Sequence, residues 1–156
     1  MRKKSYITFI LISLGVGVLS ALLTRGNMDL YNQIVRPPLS PPSILFPIVW
    51  TILYILMGIS AAMVWNDRDI NPRAAASGLR LFALQLGVNF LWSLIFFNLR
   101  AFLFAFIWLL LLWLLIVLMI SRFNIISITA GKLQLPYLIW VTFAGYLNLA
   151  IYLLNR

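Results

Sequence analysis

The spacing of apolar runs constrains this chain more than any other feature. Five of them, about Ser5–Thr24, Ile44–Trp65, Leu79–Phe97, Phe102–Ser121 and Leu133–Leu154, follow one another with short polar connections. Each is close to the ~20 residues that a helix needs to cross the hydrocarbon of a bilayer. Within the runs the one charge is Arg80, beside a helix start. Hydrocarbon offers no water to backbone N–H and C=O groups, so a run of this length must close its hydrogen bonds internally, as a helix. The expected fold class is all-α, a five-transmembrane-helix bundle, with 1–156 as a single membrane domain. Composition agrees: 63% of the 156 residues are hydrophobic and 10% are charged, against about 25% charged in a soluble domain.

The chain has no Cys and no His. Disulfides, thiolate chemistry, zinc sites, His-based acid–base catalysis and His-ligated haem are thereby excluded, and no metal site is expected. A formal charge of +9, from 12 Lys+Arg against 3 Asp+Glu, raises nucleic acid as a partner. The cations instead sit singly between apolar runs, as flanks of membrane spans, so no nucleic-acid partner is expected. Their distribution sets an orientation. The amino terminus (Arg2, Lys3, Lys4), the 66–78 connection with Arg80, and the 122–132 connection hold eight cations, while Arg25, Arg36, Arg100 and Arg156 lie on the other side. By the positive-inside rule the amino terminus is cytoplasmic. Arg2-Lys3-Lys4 before an apolar run resembles a signal peptide, but the run is long and Leu22-Leu23-Thr24-Arg25 offers no small-residue cleavage site, so it is expected to stay as the first helix. With no Ser/Arg-rich transit segment, a bacterial cell membrane is the expected location.

Prolines mark the helix starts: Pro41-Pro42-Ser43 leads into the second span, which carries Pro47 in its first turn, and Pro136 opens the fifth. Arg36-Pro37-Pro38-Leu39-Ser40-Pro41-Pro42 makes the 25–43 connection stiff and extended, either a lid or a stiffened connector. The 66–78 connection reads as a solvated turn. The fourth span is Leu, Ile and Trp almost all round and is expected to face lipid.

Helical spacing separates informative faces. On the third span Gln85, Asn89, Trp92 and Phe96 share a sector of about 60°, with Ala83 and Gly87 opposite. Uncharged amides point into a bundle, and the Ala83-xxx-Gly87 face allows a second helix to approach, a candidate homodimer contact. On the second span Trp50, Tyr54, Met57, Ala61 and Trp65 fall within about 80°, and on the fifth Tyr137, Trp140, Ala144, Leu147, Asn148 and Ile151 fall within about 100°. Ser13, Gly17 and Ala21 form a small-residue stripe on the first span, suited to close packing or to leaving room for a ligand. Converging stripes would outline a pocket of indole and phenol rings with amides to orient a guest. The same aromatics would equally serve as core filling or as interfacial belts.

Three stretches carry a resemblance: Leu30-Tyr31…Arg36-Pro37…Pro41-Pro42…Phe46-Pro47…Trp50-Thr51…Tyr54, then Gln85-Leu86…Asn89…Trp92-Ser93…Phe96-Phe97, then Leu135-Pro136-Tyr137…Trp140…Ala144…Leu147-Asn148. In order and over essentially the whole chain, they resemble the translocator protein (TspO, peripheral-type benzodiazepine receptor) family. The resemblance implies a five-helix bundle, often a homodimer, that binds porphyrins such as protoporphyrin IX and haem, and in animals cholesterol. It implies ligand contacts at Phe46, Tyr54, Asn89, Trp92, Ala144 and Leu147, and assigns Trp50 and Trp140 to light-dependent porphyrin breakdown. Ala21, Phe96, Tyr137 and Asn148 join this candidate set from the helical faces. Leu39 and Ile44 stand where the family's Pro-rich loop usually has tryptophans, and Leu94 where it has a proline.

Porphyrins are flat and apolar with two propionates, which Arg25 or Arg36 could meet by charge-assisted hydrogen bonds. Without His or Cys, iron contributes little to the expected affinity, so metal-free porphyrin is expected to bind comparably to haem, and no obligatory cofactor is expected. All three acids, Asp29, Asp67 and Asp69, lie in connections, which leaves no conventional catalytic residue in the membrane and makes photochemistry at the indoles the one expected reaction. Leu149, Tyr152 and Arg156 fit a proposed cholesterol pattern that equally describes an interfacial anchor. The expected function is thus an integral membrane tetrapyrrole-binding protein, a sensor or transporter that promotes photo-oxidative porphyrin degradation. The alternatives are a structural or assembly subunit and a lipid- or sterol-binding protein. A proton-driven pump is disfavoured by the absence of an intramembrane carboxylate.

Overall fold

A computed structural model describes residues 2–27 and 29–156. Its helices are α1 (Arg2–Thr24), α2 (Leu30–Gln33), α3 (Leu45–Asn66), α4 (Pro72–Ser93), α5 (Phe102–Ile126), α6 (Ile128–Leu133) and α7 (Leu135–Asn155). Five segments, Lys3–Asn27, Leu45–Asn66, Pro72–Asn98, Phe102–Ile126 and Ile128–Asn155, are long and apolar enough to cross a membrane. The protein is an integral, multi-pass membrane protein built as an all-helical bundle. Around the bundle α1 packs on α3, α3 on α6, α7 on α5, α5 on α4 and α4 on α1.

Small residues decide where helices touch. A Cβ on Gly58 of α3 would lie 2.5 Å from the Cα of Ile10, so α1 and α3 meet backbone to backbone. Beside that contact the Ser13 hydroxyl donates to the Tyr54 carbonyl at 2.6 Å. Gly17 sits against the Tyr54 ring. The small-residue stripe of α1 is therefore packing surface at Ser13 and Gly17, while Ala21, one turn on, is exposed.

Several expected boundaries move. The 66–78 connection is not all solvated turn: Asn71 accepts from the Ala74 N–H and Pro72 takes the first helical position, so α4 starts seven residues before the expected Leu79. The expected 122–132 loop is largely helical. Buried Phe123 and Ile126 continue the stripe of α5 past Ser121, and extended Ser127 then caps α6 through the Ala130 N–H. At the other end of α4 a wider π-type turn spans Leu94–Asn98, with the Leu99 N–H bonded to the Leu94 carbonyl.

The fourth span does not simply face lipid. Leu109, Leu112, Ile116, Met119 and Phe123 are buried against neighbouring helices, while Ile107, Leu110, Leu114 and Leu118 remain exposed. The Trp108 indole anchors α5 to α4 by donating to the Val88 carbonyl at 2.8 Å.

Candidate functional site

The polar stripes of α3, α4 and α7 meet in the bundle interior. Tyr54 donates to Asn89 Oδ1 at 3.4 Å, Asn89 Nδ2 donates to the Tyr137 hydroxyl at 2.8 Å, and Tyr137 donates to Gln85 Oε1 at 2.6 Å. Gln85 Nε2 finishes the chain on the Met57 sulfur at 3.8 Å. All five side chains are buried. Inside a bilayer such amides and phenols are tolerable because each satisfies the next, and consecutive donors pointing one way reinforce one another.

Above this floor stands a half-buried aromatic wall. Trp50 lies 5.7 Å from the Tyr54 ring and 6.2 Å from the Tyr137 ring, while Phe46 meets Trp140 edge-on at 5.9 Å. Tyr31, buried under the Pro-rich loop, packs against Phe46 at 5.1 Å, and the Arg36 guanidinium lies 4.9 Å over the Tyr31 ring. Ala144 is half-buried and Leu147 buried on the same helix as Trp140.

Trp92, Phe96 and Asn148 form an adjoining cluster. Trp92 and Phe96 stack at 5.2 Å, and the Trp92 indole donates to Asn148 Oδ1 at 3.0 Å. Asn148 Nδ2 in turn donates to the Phe102 carbonyl at 2.8 Å. These residues tie α4, α5 and α7 together at the end where the π-type turn lies.

The Pro-rich loop is pinned. Tyr31 donates to the Pro41 carbonyl, Tyr146 to the Pro38 carbonyl at 2.6 Å, and Asn155 both accepts from the Val35 N–H and donates to its carbonyl. Arg100 reaches Gln33. The segment is thus stiff and strapped to α7. Tyr146 and Asn155 carry no mark of this role in the sequence. Nothing in their spacing links them to Pro38 and Val35, more than a hundred positions earlier.

The other expected residues lie apart from the wall. Arg25 is exposed at the end of α1, and Ala83 and Gly87 are exposed on the outer face of α4, with nothing within 4 Å of a Cβ built on Gly87. Leu149 and Arg156 are exposed and Tyr152 is half-buried near the end of α7. Asp29, Asp67 and Asp69 all fall outside the long helices.

The sequence that folds into this arrangement matches the TspO/MBR family over residues 9–154. The chain belongs to the TspO/MBR family. It is 43% identical over 129 residues to a tryptophan-rich protein TspO of Chlorobaculum tepidum, covering 80% of this chain and 78% of that one. It is 35% identical to the translocator protein of Bos taurus over 140 residues, 89% of this chain and 82% of the bovine one. A tryptophan-rich sensory protein of Cereibacter sphaeroides is 31% identical over 150 residues, 96% of this chain and 90% of that relative. In this TspO/MBR protein the indoles of Trp50, Trp92 and Trp140 fall in or beside the interior cluster, whereas Trp113, with its indole on Thr142, faces outward.

Proposed function

We propose that this chain is a membrane tetrapyrrole-binding protein that senses or carries porphyrins, with the guest held between α3 and α7 against Phe46, Trp50 and Trp140. The observation that carries this reading is the half-buried aromatic wall over a fully hydrogen-bonded floor. The floor's amides and phenols are occupied with one another, so beneath the flat aromatic wall these side chains do not compete for an apolar macrocycle. Arg36, already stacked on Tyr31 at the rim, is a cation within the strap that could meet a propionate, and Arg25 is a second, on the exposed end of α1. With no His or Cys in the chain, affinity rests on the macrocycle rather than on iron, so metal-free protoporphyrin IX and haem bind comparably.

Under illumination a bound porphyrin supplies an excited state and, with dioxygen, an oxidant. Trp50 and Trp140 are then the nearest readily oxidised side chains on the wall. The Cereibacter sphaeroides relative is a tryptophan-rich sensory protein, which favours sensing over bulk transport. A homodimer through the Ala83 and Gly87 face, an amino terminus on the cytoplasmic side and a bacterial cell membrane complete the proposal.

Titration of the purified protein with protoporphyrin IX tests the core of it. Saturable quenching of tryptophan emission that weakens in Trp140→Ala is expected. Quenching that rises linearly with porphyrin and does not saturate would contradict it.

A further inference from the structure

The two ends of the bundle differ in charge, and at the more basic end two arginines share one groove. Arg80 of α4 and Arg122 of α5 line a surface groove of about 340 Å³ with Ser77, Leu81, Leu84 and Leu118. Both helices are long enough to span the membrane, and both arginines lie near the ends that the basic connections flank. Among the described residues neither guanidinium has an ion-pair partner. The pairing has a local cause. A Cβ on Gly78 would come within 2.8 Å of the Phe123 ring and 3.2 Å of the Arg122 Cβ, so α4 and α5 approach closely at the groove and bring their arginines to one mouth.

We infer that this groove binds the headgroup of an anionic membrane phospholipid, with one acyl chain lying along α4 and α5. Two features specify the occupant. Two unpaired guanidiniums and a hydroxyl match the phosphodiester oxygens, which arginine can bind bidentately. Leu84 and Leu118 are exposed and carry the groove's apolar wall toward the bilayer centre. A zwitterionic lipid carries a cation of its own close to the phosphate and meets two arginines less favourably. The site is independent of the aromatic wall and of any porphyrin.

The test is lipid binding by the purified full chain in a neutral detergent, read by native mass spectrometry and by the thermal unfolding midpoint. The probes are dioleoyl phosphatidylglycerol, dioleoyl phosphatidylcholine and inorganic phosphate. Phosphatidylglycerol is expected to be retained and to raise the midpoint more than phosphatidylcholine. Arg80→Gln combined with Arg122→Gln is expected to weaken its binding roughly tenfold or more. Ser77→Asp, which puts a competing carboxylate between two intact arginines, is expected to do the same and guards against misfolding of the double variant. Lys132→Gln, in a separate groove lined by Ile120, Asn124 and Leu135, should leave the preference intact. The assignment is overturned if phosphatidylcholine binds equally or if inorganic phosphate alone reproduces the shift. It is also overturned if the double variant keeps the preference, or if the arginine substitutions abolish a lipid-free dimer instead, which would make the face a contact with a second copy.

Discussion

The Asn89 side chain donates to the Tyr137 hydroxyl at 2.8 Å, and Tyr137 passes its own proton donor to Gln85 at 2.6 Å. Tyr137 thus joins two amides of α4 to α7 in the middle of the bundle. Tyr137→Phe keeps the ring and leaves one donor and one acceptor without a partner. A loss of about 1–2 kcal/mol is expected, read as a lower thermal midpoint in detergent. Gln85→Met in the Tyr137→Phe background removes the orphaned acceptor and should recover part of it.

Gly58 seats α3 directly on the backbone of α1. Its hypothetical Cβ meets backbone atoms of Ile10, which cannot rotate away, whereas Gly15 has nothing within 4 Å. Gly58→Ala is expected to cost about 1–3 kcal/mol by forcing α1 off α3, and Gly15→Ala to be close to neutral. Chemical denaturation of the two variants side by side checks the contrast.

Gln134 lies at the join of α6 and α7, fully buried, and neither its Nε2 nor its Oε1 has a hydrogen-bond partner among the described residues. A buried unsatisfied amide is costly, and Met matches its length. Gln134→Met is therefore expected to raise stability by about 1 kcal/mol or more; a lower unfolding midpoint would show that the amide has a partner in the membrane.

The number of spans was legible because apolar runs of bilayer length admit one solution, and the convergence of Gln85, Asn89, Tyr54 and Tyr137 was legible because polar side chains must turn from lipid. Helix ends were less so. Asn71-Pro72 and Ser127 are capping signals that outweigh the polar look of their surroundings, and the hydropathy of Arg73 or Arg122 carries no information about backbone conformation. Which face of α5 is inside could not be read at all. Leu109 and Leu112 are buried and Leu110 and Leu114 exposed, yet lipid and core select the same residue. The strap from Tyr146 and Asn155 to the Pro-rich loop is a long-range contact with no local signature.

Trp50 and Trp140 sit on the wall with their rings against Tyr54, Tyr137, Phe46 and Phe143. Trp50→Phe with Trp140→Phe preserves aromatic surface while removing the two most oxidisable groups. Illuminated loss of bound protoporphyrin IX, followed by absorbance, is expected to slow at least severalfold while its dissociation constant changes little. An unchanged rate would remove both indoles from the photochemistry.

The most direct measurement is a crystal structure of the protein with protoporphyrin IX. The account predicts the macrocycle between α3 and α7, in contact with Phe46, Trp50 and Trp140, beneath the strap that Tyr146 holds, with the Tyr54–Asn89–Tyr137–Gln85 chain intact below. A porphyrin bound solely on the lipid-facing surface, with that wall untouched, would contradict it.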